Sequence, residues 1–132
     1  MDEVFAFLKD TGTFFIATND GGQPRVRPFG FVMKYRNGLY FCTGTMKPFY
    51  RQMTADPRFE ISACNAKGEW LRLSGKGRFV DDLDAKKQAF AEAPGVAALY
   101  QDPASPNFAL FCIEDAVAQF CSFTSDPRTV SF

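Results

Sequence analysis

At 132 residues, 46% of them hydrophobic, the chain has the length and apolar content of one packed domain and leaves no room for a second. Fifteen basic and fifteen acidic residues cancel, so no long-range field steers the molecule to nucleic acid or to an anionic membrane, and any anion site must be local. The absence of His excludes every His-based triad, metal ligand and proton shuttle, which leaves a bound cofactor as the expected source of any chemistry.

Residues 2–10 place Val4, Phe5 and Leu8 at helical spacing, and Gly12 supplies a stop. A strand over TFFIATN ends at Asp20-Gly21-Gly22, and a longer strand runs from Arg25 to Tyr35. Asn37-Gly38 predicts a two-residue hairpin turn, with Leu39–Thr43 returning antiparallel. That turn sets Lys34 opposite Phe41, Val32 opposite Thr43 and Gly30 opposite Thr45. Pro48 suits a first helical turn, with Phe49 and Met53 on its apolar face, before Asp56-Pro57 ends it. Strands over Phe59–Ala66 and Glu69–Val80 flank a second hairpin at Lys67-Gly68. Asp82 or Asp84 caps a helix holding Leu83, Phe90 and Ala93 that stops at Pro94-Gly95, with one more helical turn before Tyr100. Asp102 to Asn107 reads as an irregular loop, and Phe108–Ile113 and Val117–Phe123 as two final strands. Hairpin signals recur while helices fall at ends and crossings, which favours a closed or nearly closed antiparallel β-barrel over a parallel α/β sheet.

No stretch approaches the roughly 20 apolar residues of a membrane span, and the opening MDEVFAFLKD carries acids where a signal peptide carries bases, so the cytoplasm is expected. Cys42, Cys64, Cys112 and Cys121 lie far apart in apolar runs and read as buried free thiols. Sixteen Phe exceed what so small a barrel is expected to cover, which points to a subunit interface.

Three stretches carry candidate chemistry. In PRVRPFGF, Arg25 and Arg27 share one face of a strand and Pro28 marks a sheet edge; the pair faces either an anion or neighbouring carboxylates. In CTGTMKPFYRQM a strand ends and a helix begins, a geometry that suits a phosphate at free N–H groups beside Lys47, or else a plain cap by Thr45 or Lys47. Strict alternation places Thr43 and Thr45 on the face opposite Arg25 and Arg27, so a shared site needs a bulge, twist or turning helix. In EWLRLSGKGR, Trp70 and Arg72 share a face, either at the edge of the core or over a planar ring. Together the three suggest a phosphate attached to an aromatic ring.

The segments FFIATNDGGQPRVRPFGF, LYFCTGTMKPFYRQM, FEISACNAKGEWLRLSG and the late NFALFCIEDAVAQF together resemble the FMN-binding proteins of the pyridoxamine 5'-phosphate oxidase family. Within it they are similar to a small nitroimidazole-reductase-like branch. The resemblance spans nearly the whole chain and implies a mainly β fold: an antiparallel split β-barrel with Greek-key order, about six strands and short flanking helices. It implies FMN held between the subunits of a homodimer. Arg25, Val26, Arg27 and Pro28 would line the cofactor, Thr43 and Lys47 would complete the phosphate site, and Tyr50 and Gln52 would approach from the short helix. Trp70 and Arg72 would come from the second subunit. The chain lacks His and the Arg- and His-bearing end with which the oxidases engage substrate, so the resemblance implies the cofactor site and not that reaction. Two functions then stand open: an oxidoreductase passing electrons from a reduced nicotinamide to a small acceptor, and a non-enzymatic flavin-binding or electron-shuttle module. Haem or a deazaflavin as ligand is a weaker third.

Overall fold

A computed structural model describes all 132 residues. Helix α1 (Asp2–Thr11) ends at Gly12, whose φ of 70° is the left-handed conformation that a residue without Cβ adopts freely. It leads into β1 (Phe14–Asp20), β2 (Gln23–Phe29), β3 (Met33–Tyr35) and β4 (Gly38–Gly44), then α2 (Pro48–Ala55), β5 (Arg58–Cys64) and β6 (Trp70–Val80). Helices α3 (Leu83–Glu92) and α4 (Pro94–Tyr100) follow, and β7 (Phe108–Cys121) and β8 (Arg128–Ser131) close the chain. The strands form one antiparallel sheet in the order β2-β1-β5-β6-β7-β4-β3, with β8 paired to β7 off this path. Sheet curvature wraps Phe14, Ile16, Phe41, Phe59, Ile61, Leu71, Leu73 and Phe111 into one core, which α1 closes with Val4 and Leu8 and α2 with Phe49 and Met53. A smaller cluster, Met33, Ala85, Ala89, Phe108 and Leu110, packs α3 against the other side of β3 and β7. This explains why β7 is buried continuously from Phe108 to Ile113: it has apolar neighbours on both faces.

The barrel class and both early helices agree with the sequence reading, and Asp82 caps α3 by accepting from the Ala85 N–H at 3.1 Å. Five details differ. The first hairpin turns at Arg36-Asn37, with Tyr35 opposite Gly38 and Lys34 opposite Leu39, because Arg36 itself takes the positive φ of 49°. The expected strand from Arg25 to Tyr35 is two, and strands number eight rather than about six. Phe108–Ile113 and Val117–Phe123 are one strand carried through a bulge, where Asp115 adopts a φ of 52° and the β6–β7 register shifts between Ser74 and Lys76. Cys64 is exposed, not buried. Finally, thirteen of the sixteen Phe are covered or half-covered within the single chain, only Phe15, Phe123 and Phe132 being exposed, so aromatic surplus alone does not demand a partner.

Candidate functional site

The break between β2 and β3 places the site. In β2 the core-facing residues are odd, Arg27 and Phe29 pairing with Ile16 and Phe14. In β3 the core-facing position is even, since Lys34 pairs with Leu39, and Val32 just before it is buried in the same core. Residues 30–32 leave the ladder and reset the alternation. As a result Thr43, which shares the inner face of β4 with Leu39 and Phe41, lies on the same side of the sheet as Arg27. The face conflict expected from unbroken alternation does not arise.

Two adjoining cavities of about 550 and 610 Å³ meet here, scaled to hold a small organic ligand. The first is bounded by Arg27, Pro28, Thr43 and Lys47 on one side and by Val96, Leu99 and Tyr100 of α4 on the other. The second, of about 610 Å³, runs from Arg25, Val26 and Pro28 to Arg51 and Gln52 of α2. Arg27, Pro28, Lys47 and Phe49 form the wall common to both. Phe49 packs its ring 5.1 Å from the Arg27 guanidinium, a cation–π contact.

Charge is distributed unevenly. Nine of the fifteen basic residues pair with a carboxylate. Of the six that do not, Lys9, Arg27, Lys47 and Arg51 all line these two cavities. A molecule without net charge thus concentrates its uncompensated cations in one place. Lys47 precedes Pro48 and is held extended at φ −81°, ψ 149°, and no side chain caps the first turn of α2. Thr43 Oγ1 is buried without any hydrogen-bond partner in the chain, a state costly enough to mark a missing acceptor or donor. Burial, and then the nearby charge of Arg25, lower the pKa of Arg27. Burial pushes the Cys42 thiol, at the same cavity wall, up to about 12 against the opposing pull of Lys47, so it is protonated at neutral pH.

Seven of the ten residues singled out from sequence therefore line these two cavities: Arg25, Val26, Arg27, Pro28, Thr43, Lys47 and Gln52, Val26 being exposed on the edge strand. Arg25 forms an ion pair with Asp20 at 3.3 Å, whereas Arg27 has none. Gln52 is buried, and its Oε1 accepts from Arg27 Nη2. Tyr50 packs on Phe79 at 4.5 Å and lines neither cavity. Trp70 and Arg72 lie on the outer face of β6, Trp70 against Phe123 at 5.1 Å and Arg72 bonded to Glu60 at 2.8 Å. Cross-strand pairing runs Pro28–Phe15–Ser62–Arg72, three strand spacings or about 14 Å. Sequence reasoning missed Lys9, Thr18 and Arg51. Thr18 carried a signal, a polar residue in phase with the core positions Phe14 and Ile16; the other two are ordinary surface cations until the fold gathers them.

A family model described as pyridoxamine 5'-phosphate oxidase matches residues 1–121. The structure is similar to that of a NimC/NimA family protein of Clostridium acetobutylicum, with 36% identity and a TM-score of 0.95, covering 100% of this chain and 92% of that one. At 15% identity and a TM-score of 0.76, a heme-binding protein of Mycobacterium smegmatis shares the fold over 95% of this chain and 55% of its own. A FAD-binding protein of Mesorhizobium loti does so at 21% and 0.57, over 91% and 94%. No curated protein matches the sequence.

Proposed function

The chain belongs to the pyridoxamine 5'-phosphate oxidase family, and from that premise we propose that it binds FMN and acts as a flavin-dependent oxidoreductase. The observation that carries this reading is the buried, unpartnered hydroxyl of Thr43 in a cavity walled by the uncompensated charges of Arg27 and Lys47. Such a set fits a phosphate bearing an organic body. Fold relatives bind heme or FAD, but this chain has no His to serve as an axial ligand, and its cations favour a phosphorylated flavin. When bound, the flavin supplies hydride acceptance from a reduced nicotinamide and electron transfer to a small acceptor.

The protein's own residues then bind and orient. Lys47 and Arg27 would hold the phosphate and Thr43 would donate its hydroxyl, with Phe49, Pro28 and Phe29 forming the adjoining wall. With no His in the chain, the protein acts by position and field rather than as acid or base. We place the site in a homodimer: Val26 (67% exposed), Phe15 (49%) and Val117 (38%) put apolar side chains on the outer face of the sheet. A partner against that face would bring its Trp70 and Arg72 to the edge strand, from which the same chain's own Trp70 and Arg72 are three strand spacings away. Four unpaired thiols suit the reducing cytoplasm, and no helix is long and apolar enough to cross a membrane.

The test is the absorption spectrum of the purified protein followed by FMN titration and nicotinamide oxidation. A flavin spectrum with turnover on a small acceptor is the expected result. Tight FMN binding without turnover on any acceptor would favour a storage or shuttle module, and a Soret band in place of a flavin spectrum would overturn the cofactor.

A further inference from the structure

Arg27 differs from every other buried or half-buried cation of the chain in how it is held. Its Nη1 donates to the Thr18 hydroxyl at 2.7 Å and to the Ile16 carbonyl at 3.2 Å, and its Nη2 donates to Gln52 Oε1 at 2.5 Å. The Thr18 hydroxyl in turn donates to the same Gln52 oxygen at 2.7 Å. Thr18 and Gln52 are 5% and 4% exposed, so this triangle is shielded from competing water. All of these acceptors are neutral, and no carboxylate lies within ion-pair distance of Arg27, while its neighbour Arg25 two residues away does have one.

We infer that Thr18 is a positioning residue for Arg27: its hydroxyl, shared with Gln52, fixes the guanidinium against the wall of both cavities while leaving its charge uncancelled for an anionic ligand. This deepens the phosphate reading above and rests on it. A carboxylate in the place of Gln52 would fix the group equally well but neutralise its charge. A hydroxyl and an amide carbonyl fix geometry without that loss, and a preformed donor array pays little reorganisation on binding. Partial burial, and then the charge of Arg25, lower the pKa of Arg27. The packing also links three elements, since Thr18 lies on β1, Arg27 on β2 and Gln52 on α2.

The test compares Thr18→Val, which keeps the shape and removes the hydroxyl, with Thr18→Ser, which restores it, and Gln52→Glu, which keeps an acceptor but adds a charge. Affinity is measured for FMN and for riboflavin, which lacks the phosphate, and rotation of the Arg27 guanidinium by nitrogen NMR without ligand. Thr18→Val should weaken FMN about tenfold, the scale of one charge-assisted hydrogen bond, leave riboflavin within about twofold, and free the guanidinium to rotate, with Thr18→Ser recovering both. Gln52→Glu should weaken FMN yet leave rotation hindered. Unchanged FMN affinity or rotation in Thr18→Val, equal loss for both ligands, or failure of Thr18→Ser to rescue overturns the inference. Should wild type itself bind FMN no better than riboflavin, the phosphate reading fails, and the rotation measurement alone then judges whether Thr18 positions Arg27. If Thr18→Val does not fold, Thr18→Ala carries the same readouts.

Discussion

Lys47 owes its place to its neighbour. A residue before proline is driven out of the helical region, so Lys47 cannot become the first residue of α2 and remains extended at its mouth, its side chain uncommitted to any cap. Lys47→Ala should weaken FMN by about 1.5–3 kcal/mol, as expected for a charge-assisted bond to phosphate, and leave riboflavin nearly unaffected; isothermal titration with both ligands checks this. Equal losses would show that Lys47 acts elsewhere. Arg25 and Arg27 looked equivalent in sequence, two arginines on one strand face. Their different fates follow from depth: Arg25 lies near the turn, within reach of Asp20, while Arg27 lies further along β2 beneath α2. No local pattern separates the two, because Gln52 is 25 residues away.

At the level of elements, β6 and β7 make the longest pairing in the fold, and its bulge lets β7 serve two partners: Phe108–Cys112 pairs with β4, while Val117–Phe120 pairs with β8. The bulge requires a small residue opposite it. A Cβ on Gly75 would stand 2.6 Å from Ile113 Cγ1 and 2.8 Å from the Glu114 carbonyl oxygen, one of them backbone that cannot step aside. On Gly77 it would meet the flexible end of Met53 instead. Gly75→Ala should therefore lose about 1–3 kcal/mol in urea denaturation, and Gly77→Ala less; the reverse order would mean that the bulge is soft. Both halves of β7 were legible in sequence as strands, and so were Asp82 as a cap and Gly12 as a stop. The bulge that joins those halves was not, since Glu114-Asp115 reads as an ordinary polar turn until β6 is laid beside it.

Across the whole molecule, Trp70 and Arg72 of β6 lie on the outer face of the sheet, three strands from the edge strand β2, and do not reach the site of their own chain. The dimer reading and the purely local reading part in mixed dimers of a Lys47→Ala subunit with an Arg72→Ala subunit. Sites built from two chains leave one site with both lesions and one with neither, so purified heterodimers should recover tight FMN binding at one site of two. Sites built within one chain would each carry a lesion, and no tight site would return. The sequence by itself determined the helices, the antiparallel barrel class and the residue types of a candidate anion site, because helix spacing, strand alternation, turn residues and the Lys-Pro junction are local signals. Tertiary structure alone decided that Thr43 and Arg27 face the same space, that four unpaired cations gather there, and that Thr18 and Gln52 hold Arg27. The reason is physical: a three-residue break between β2 and β3 inverts the facing of everything after it, and only closure of the sheet shows which charges have found partners and which remain free.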